Sequence, residues 1–182
     1  YIDPIDGTTN FLHGVPHFAV SIGLEREGHL VAGLVYNPIT DDMFMAEKGR
    51  GAWLNDRRLR VSARRDMNVA LIATGIPYAG RDGHELFSTE LSRVMAEVAG
   101  VRRFGAAALD IAWVAAGRYD AFWERGLSPW DMAAGIVILR EAGGIVSDLA
   151  DGQDMLTNGT ILASNGLLHG RMLKALRGQS GA

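Results

Sequence analysis

The sequence holds no cysteine. That excludes disulfides, thiolate metal sites and cysteine nucleophiles, and it fits a reducing cytosol, so a cytoplasmic location is expected. Long apolar runs are missing too. None reaches the ~18 residues that a membrane-crossing helix needs, and the first residues do not form a signal-peptide pattern, so no membrane partner is expected. Neither sign of charge dominates: 18 Lys and Arg against 21 Asp and Glu leave a net charge of −3, and nothing global favours nucleic acid. There is no G-x-S-x-G nucleophile elbow, no phosphate-binding P-loop pattern and no internal repeat. The five histidines, His13, His17, His29, His84 and His169, show no metal-ligand spacing and read as surface or packing residues. Proline is scarce, five in all, yet two of the five, Pro4 and Pro129, stand beside the most informative aspartates. What remains is 48% hydrophobic and 21% charged, an ordinary globular composition, and 182 residues suffice for one large domain or two small ones.

The first eleven residues, Tyr1-Ile2-Asp3-Pro4-Ile5-Asp6-Gly7-Thr8-Thr9-Asn10-Phe11, are the stretch around which the rest is read. Pro4 fixes its own φ and biases Asp3 toward extended backbone, which predicts that Asp3 ends a strand. Gly7 permits a tight turn and the close approach of a ligand. Thr8, Thr9 and Asn10 are good helix-start residues. The expected product is a strand end, a turn and a helix N-terminus, with two carboxylates facing backbone N–H groups. Carboxylates bind hard cations and helix N-termini bind phosphate, a combination that suits a metal-bridged phosphate. Asp-Pro and Asp-Gly are also ordinary turn pairs, and the residue types alone leave both readings open. Far along the chain, Trp123-Glu124-Arg125-Gly126-Leu127-Ser128-Pro129-Trp130-Asp131 leads into a predicted helix over 130–142. Asp131 falls in its first turn, where the helix dipole favours a carboxylate. It reads either as a favourable first-turn acid or as a third metal ligand.

Together these stretches resemble the inositol monophosphatase family of magnesium-dependent, lithium-sensitive phosphatases. Asp3-Pro4-Ile5-Asp6-Gly7-Thr8-Thr9-Asn10-Phe11 is similar to its first signature. Trp130-Asp131-Met132-Ala133-Ala134-Gly135, continuing to Glu141-Ala142-Gly143-Gly144, is similar to its second. The likeness runs along the whole chain and includes Lys48-Gly49-Arg50-Gly51-Ala52-Trp53-Leu54-Asn55, while Thr9-Asn10-Phe11 resembles the bacterial inositol monophosphatases in particular. The resemblance implies Mg2+ held by Asp3, Asp6, Asp131 and the backbone carbonyl of Ile5. It implies that Gly7 and Thr8 offer N–H groups to the phosphate and that the Thr8 hydroxyl helps to orient the attacking water. Glu124 and the backbone around Ala107 would contact substrate hydroxyls, with Asp131 also facing the substrate; Glu124 alternatively reads as a solvated residue at a strand end. The implied reaction is hydrolysis of an inositol monophosphate, or a similar small polyol phosphate, by direct in-line water attack without a covalent intermediate. Sugar bisphosphates or nucleotides are the alternative substrates, association with the transcription and RNA machinery is the alternative role, and a homodimer is implied. The sequence departs from the family in two places. It starts almost on the first motif without Met, so it is expected to be a fragment lacking a mostly helical segment that supplies a glutamate ligand and an acidic partner for the threonine. Ala106 stands where many relatives have Ser or Thr.

Periodicity supplies the rest. Alternation over 18–25, apolar runs over 30–36 and 43–47, and a short run over 59–62 predict hairpins in series, a largely antiparallel sheet. Residues 68–74 predict another strand. Phe87, Leu91, Val94, Met95 and Val98 recur at helical spacing, with Gly100 as the expected C-cap. An alanine-rich helix is expected from Phe104-Gly105 to about Ala116, then a strand over 119–123 ending at Glu124, the helix over 130–142, strands over 145–149 and 161–164, and a last helix over 167–176. The expected fold class is α+β followed by α/β: a layered αβαβα sandwich of the sugar-phosphatase type, with the antiparallel half first and a mixed-sheet half second. The expected units are 1–66, the remainder of an α+β domain with the first motif, and 67–182, an α/β domain with the second. Arg57, Arg58, Arg60, Arg64 and Arg65 cluster as a solvated strand edge, with nucleic-acid binding the weaker alternative given few interleaved aromatics.

Overall fold

The first third of the chain alternates side chains between sharp turns, and it folds as a meander. In the computed structural model, which describes residues 1–179, β1 (Ile2–Asp6), α1 (Thr8–Leu12), β2 (Ala19–Arg26), β3 (His29–Asn37), β4 (Asp42–Glu47), β5 (Gly51–Leu54) and β6 (Arg57–Arg58) follow one another. The six strands form one antiparallel sheet in sequence order. Then come β7 (Leu71–Thr74), α2 (His84–Met95), β8 (Gly100–Arg102), α3 (Ala107–Ala115), β9 (Ala121–Arg125), α4 (Pro129–Glu141), β10 (Ile145–Ser147), α5 (Met155–Asn158), β11 (Thr160–Ser164) and α6 (His169–Arg177). The second sheet has the order β10-β11-β9-β7-β8; β7 runs parallel to β8 and β9, and the remaining pairs are antiparallel.

Helices α3 and α4 lie between the sheets, touching each other, β2 and β3 on one side and β9 and β11 on the other. Such a helix needs apolar residues on every face, and every residue of α4 from Met132 to Leu139 is buried. Phe44, Leu109, Ile111, Met132, Ile136 and Ile161 fill this central core. On the far face of the second sheet α2 packs against α6 over Ile72, Phe87, Trp123, Leu162 and Met172. The layers therefore run sheet, helix pair, sheet, helix pair, the layered sandwich with an antiparallel and a mixed sheet.

In β2 the alternation has an unexpected sense. The small residues Ala19, Ser21 and Gly23 face the core, while Ile22 and Leu24 are exposed. The reason is close packing. A Cβ on Gly23 would fall 2.6 Å from that of Ala133, and one on Gly33 2.4 Å from the Ala134 carbonyl oxygen. Bare backbone lets α4 settle onto the strands, and this seats Asp131 at the helix start against β1 and β2.

Several boundaries differ from those expected. Asp3 does not end its strand, which continues to Asp6. Pro4 is accommodated because β1 is an edge strand with a register shift between Asp3 and Asp6. Residues 59–62 are not a strand: the pairing is at Arg57–Arg58, after which Val61 N–H turns to the Ala142 carbonyl instead. Residues 67–69 form a 3-10 turn, so the strand predicted over 68–74 is confined to 71–74. Helix α2 stops at Met95, and Gly100, read as its cap, opens the unpredicted strand β8. Helix α3 starts at Ala107 and not at Phe104, because Ala106 is extended at φ −140°, ψ 96°. Strand β10 ends at Ser147 because the Asp148 carboxylate accepts the Ala150 and Gly152 amides and turns the chain. The expected second unit reached residue 182; 180–182 lie outside the described residues. Among the described residues no helix is long and apolar enough to cross a membrane.

Candidate metal and substrate site

Asp3 and Asp6 are placed by β1, Asp6 at its end, and Asp131 by the first turn of α4. Each offers a carboxylate oxygen, and the three oxygens lie within 4.8 Å of one another. Short local bonds hold them. Asp3 Oδ1 accepts the Ile5 amide at 2.9 Å, and Asp131 Oδ2 accepts the Ser128 amide at 2.7 Å as part of a capping box. Asp6 is buried, and its Oδ2 accepts the Ala108 amide at 2.8 Å, so it sits at the positive end of α3. Ser21 Oγ donates to the Trp130 carbonyl at 3.1 Å and ties β2 to the start of α4.

Gly7 provides the turn, at φ 83°, ψ 36°. Its helical bonds begin with Phe11 N–H to the Gly7 carbonyl, which leaves the amides of Thr8, Thr9 and Asn10 without intrahelical acceptors. The Thr8 hydroxyl donates to the Ile5 carbonyl at 2.9 Å. Asn10 does more than start a helix: its amide donates to the carbonyls of His17 at 2.8 Å and Phe104 at 2.7 Å, stapling the motif to the approach to α3.

A cleft of about 160 Å3 opens beside the aspartates and brings Asp6, Asp131, Ala107 and Glu124 together. Glu124, near the end of β9, is half-buried and not simply solvated. Its carboxylate lies over Gly75, where a Cβ would come within 1.9 Å of it; the bare glycine makes room for the acid. Gly75, Arg81, Arg103 and Asp110 were not singled out by the sequence. The first three border the cleft or its acid from two segments, Gly75 and Arg81 from the loop between β7 and α2 and Arg103 from the turn after β8. Asp110 was detectable only as a lone acid in an alanine-rich helix.

The charges are unbalanced. Burial pushes Asp6 up to about 8 despite the Ala108 amide, with Asp131, Asp3 and Glu124 adding repulsion. Asp131 is also raised, chiefly by burial. Glu124 is pushed up to about 7 by burial and the Asp131 charge, against the pull of Arg103 and Arg81. Buried Asp110 lies well above the usual carboxylate range, and its Oδ1 has no hydrogen-bond partner among the described residues. Among the described residues no Lys or Arg forms an ion pair with Asp3, Asp6 or Asp131. Converging carboxylates without a counter-charge are unfavourable unless protons or a cation neutralise them. Their hard oxygens fit the magnesium, calcium and manganese class.

The Inositol monophosphatase family profile matches residues 1–180. The chain belongs to the inositol monophosphatase family. An inositol-1-monophosphatase of Mesorhizobium japonicum is 57% identical over 176 residues, which cover 97% of this chain and 66% of the relative. A Nus factor SuhB of Pseudomonas aeruginosa is 52% identical over 166 residues, covering 90% and 61%. The crystal structure of the extragenic suppressor protein suhB from Bartonella henselae superposes with a TM-score of 0.94 at 56% identity, covering 97% of this chain and 67% of that one. The chain thus spans about two-thirds of the length of these relatives.

Proposed function

We propose that the chain carries the active centre of a Mg2+-dependent phosphomonoesterase acting on inositol monophosphate or a similar small polyol phosphate. The observation that carries this reading is the convergence of Asp3, Asp6 and Asp131 beside a cleft lined by Ala107 and Glu124. Asp3, Asp6 and Asp131, with the Ile5 carbonyl, would hold magnesium. Magnesium, when bound, neutralises phosphate charge and acidifies a bound water.

The chain's own groups do the remaining work. The amides of Gly7 and Thr8, at the positive end of α1, bind phosphate oxygens. Because the Thr8 hydroxyl gives its hydrogen to the Ile5 carbonyl, its oxygen faces outward as an acceptor that orients a water for in-line attack. Glu124 and the backbone at Ala107 fix the polyol hydroxyls. Cytoplasmic location, lithium inhibition and a homodimer belong to the same proposal.

The test is magnesium-dependent phosphate release from inositol 1-phosphate. Asp131→Asn should lower turnover by about 100-fold or more, the scale at which a group stabilising the transition state acts, while circular dichroism stays unchanged. Full activity in that variant removes Asp131 from the site. The Nus factor name of the Pseudomonas relative goes with a second reading, association with the transcription and RNA machinery. Salt-sensitive RNA binding that needs Arg57 to Arg65 yet survives Asp131→Asn would support it.

A further inference from the structure

The stretch Lys48-Gly49-Arg50-Gly51 shares in the likeness to the family, yet none of its residues lines the cleft at the aspartates. Lys48 borders a different cavity, also of about 160 Å3, together with His29, Leu30, Val137, Arg140 and Glu141. This cavity lies toward the far end of α4 from Asp131, with Arg140 about 13 Å along the helix axis from that aspartate. It is separate from the candidate metal site.

The cavity combines apolar and basic groups. Val137 is buried, and Leu30 packs against the central core. The one acid in the lining, Glu141, is already satisfied: its Oε1 accepts the Gly49 amide and its Oε2 the Gly51 amide, each at 2.8 Å. Glu47, next to Lys48 in the chain, is engaged by Arg50 at 3.3 Å. Lys48 and Arg140 enter no ion pair among the described residues. Arg140 gives an N–H to the neutral Gln153 Oε1 at 2.7 Å, which orients the guanidinium and leaves its other donors for a ligand. Desolvation lowers the Arg140 pKa, where a facing carboxylate would raise it. Two cations thus meet one carboxylate whose oxygens are turned to the main chain, and His29 adds a ring donor.

We propose that this cavity binds a small oxyanion, the carboxylate or phosphate group of a small molecule, between Lys48 and Arg140. The inference does not depend on the phosphatase reading. The planar fork of Arg140 pairs with either group in two-point contact, and the Lys48 ammonium adds a point charge. Leu30 and Val137 offer apolar contact to the body of the ligand.

The experiment titrates the magnesium-free chain with sodium phosphate and, separately, with sodium benzoate at constant ionic strength, and follows backbone amide NMR shifts. Shifts at residues 48–51 and 137–141 report this cavity, and shifts at residues 7–10 report the aspartate site. At least one probe should give saturating shifts at 48–51 and 137–141. Phosphate alone points to a phosphoryl ligand, benzoate alone to a carboxylate with an apolar body, and both to a site that accepts either. Lys48→Met/Arg140→Met should raise the midpoint concentration by about tenfold or more, the scale of one lost charge-assisted hydrogen bond. Lys48→Arg/Arg140→Lys keeps both charges and should keep most of the affinity, which a merely structural role would not predict. Should the methionine pair fail to fold, Lys48→Met alone, at an exposed position, must still raise the midpoint. Shifts that grow linearly with both probes, or a midpoint unchanged in the methionine variants, overturn the proposal.

Discussion

Polar residues in this chain divide into those the protein satisfies itself and those it leaves without a counter-charge. Buried Asp6 and half-buried Asp3 and Asp131 are of the second kind, which makes them candidates for a metal site. His169 is of the first kind. It is buried between two serines, with Nε2 3.0 Å from Ser147 Oγ and Nδ1 2.8 Å from Ser164 Oγ. Ser147 gives its own hydrogen to the Asp148 carbonyl, so the neutral ring with hydrogen on Nε2 satisfies the whole group. Burial lowers the His169 pKa, against a smaller pull from Asp151. A histidine whose folded pKa is depressed contributes stability that is complete above the unfolded value, about 6.5, and is lost as pH falls toward the folded value. Thermal melts should therefore weaken as pH falls from 7 to 5, and His169→Gln should flatten that dependence while costing about 1 kcal/mol or more at pH 7. An unchanged slope in the variant would show that the loss comes from elsewhere. The sequence showed Asp3, Asp6 and Asp131 because each sits in a short motif whose proline or glycine sets the local backbone. It did not show Arg81, Arg103 or Gly75, which gain meaning only when separate loops meet.

Elements were legible where local pattern decides and illegible where packing does. The hairpins β2 to β5 follow from alternation and turn residues. Strand β8 has three residues, and it exists because β7 offers it a parallel edge, which no local signal announces. The sense of β2 was hidden for the same reason: a strand of alternating large and small residues normally buries the large ones, but a closely seated helix takes the small face. That seating is also what connects the fold to the site. A Cβ at Gly33 would meet the Ala134 carbonyl oxygen at 2.4 Å and the Ala134 Cα at 2.9 Å, backbone atoms that move only if α4 moves. Gly33→Ala should therefore destabilise the chain by about 1–3 kcal/mol and weaken magnesium binding, since Asp131 rides on α4 while Asp3 and Asp6 do not. Gly170→Ala is the control. It lies in α6 with nothing within 4 Å of its added Cβ, and it should stabilise by up to about 1 kcal/mol. Calorimetric unfolding with a magnesium titration reads both effects; equal metal affinity in Gly33→Ala and the parent would disconnect α4 seating from the site.

At the scale of the whole molecule, the sheets differ in how they are covered. The second sheet has helices on both faces. The first has α3 and α4 on one face, and its other face carries a cross-strand apolar row. Ile2, Ile22, Leu34, Met45 and Trp53 are consecutive partners across five strands. Ile2 is 66% exposed, Ile22 40%, Met45 43% and Trp53 36%. Neighbouring Leu24 and Met43 widen the row. Contiguous apolar surface of this kind favours association or dye binding, whereas scattered surface hydrophobics do not. The chain should therefore bind the dye ANS in its native state and associate with rising concentration. Ile22→Thr/Met45→Thr should reduce both, because threonine keeps strand propensity while removing apolar area. The cost in stability should stay within about 1 kcal/mol, since neither side chain is in the core. Sedimentation velocity at several concentrations separates the outcomes. Weaker association in the variant assigns the contact to this face. Unchanged association moves it elsewhere, and the exposed row would then be tolerated only because the strand edges beside it, with Pro4 in β1 and the arginines of β6, deter stacking.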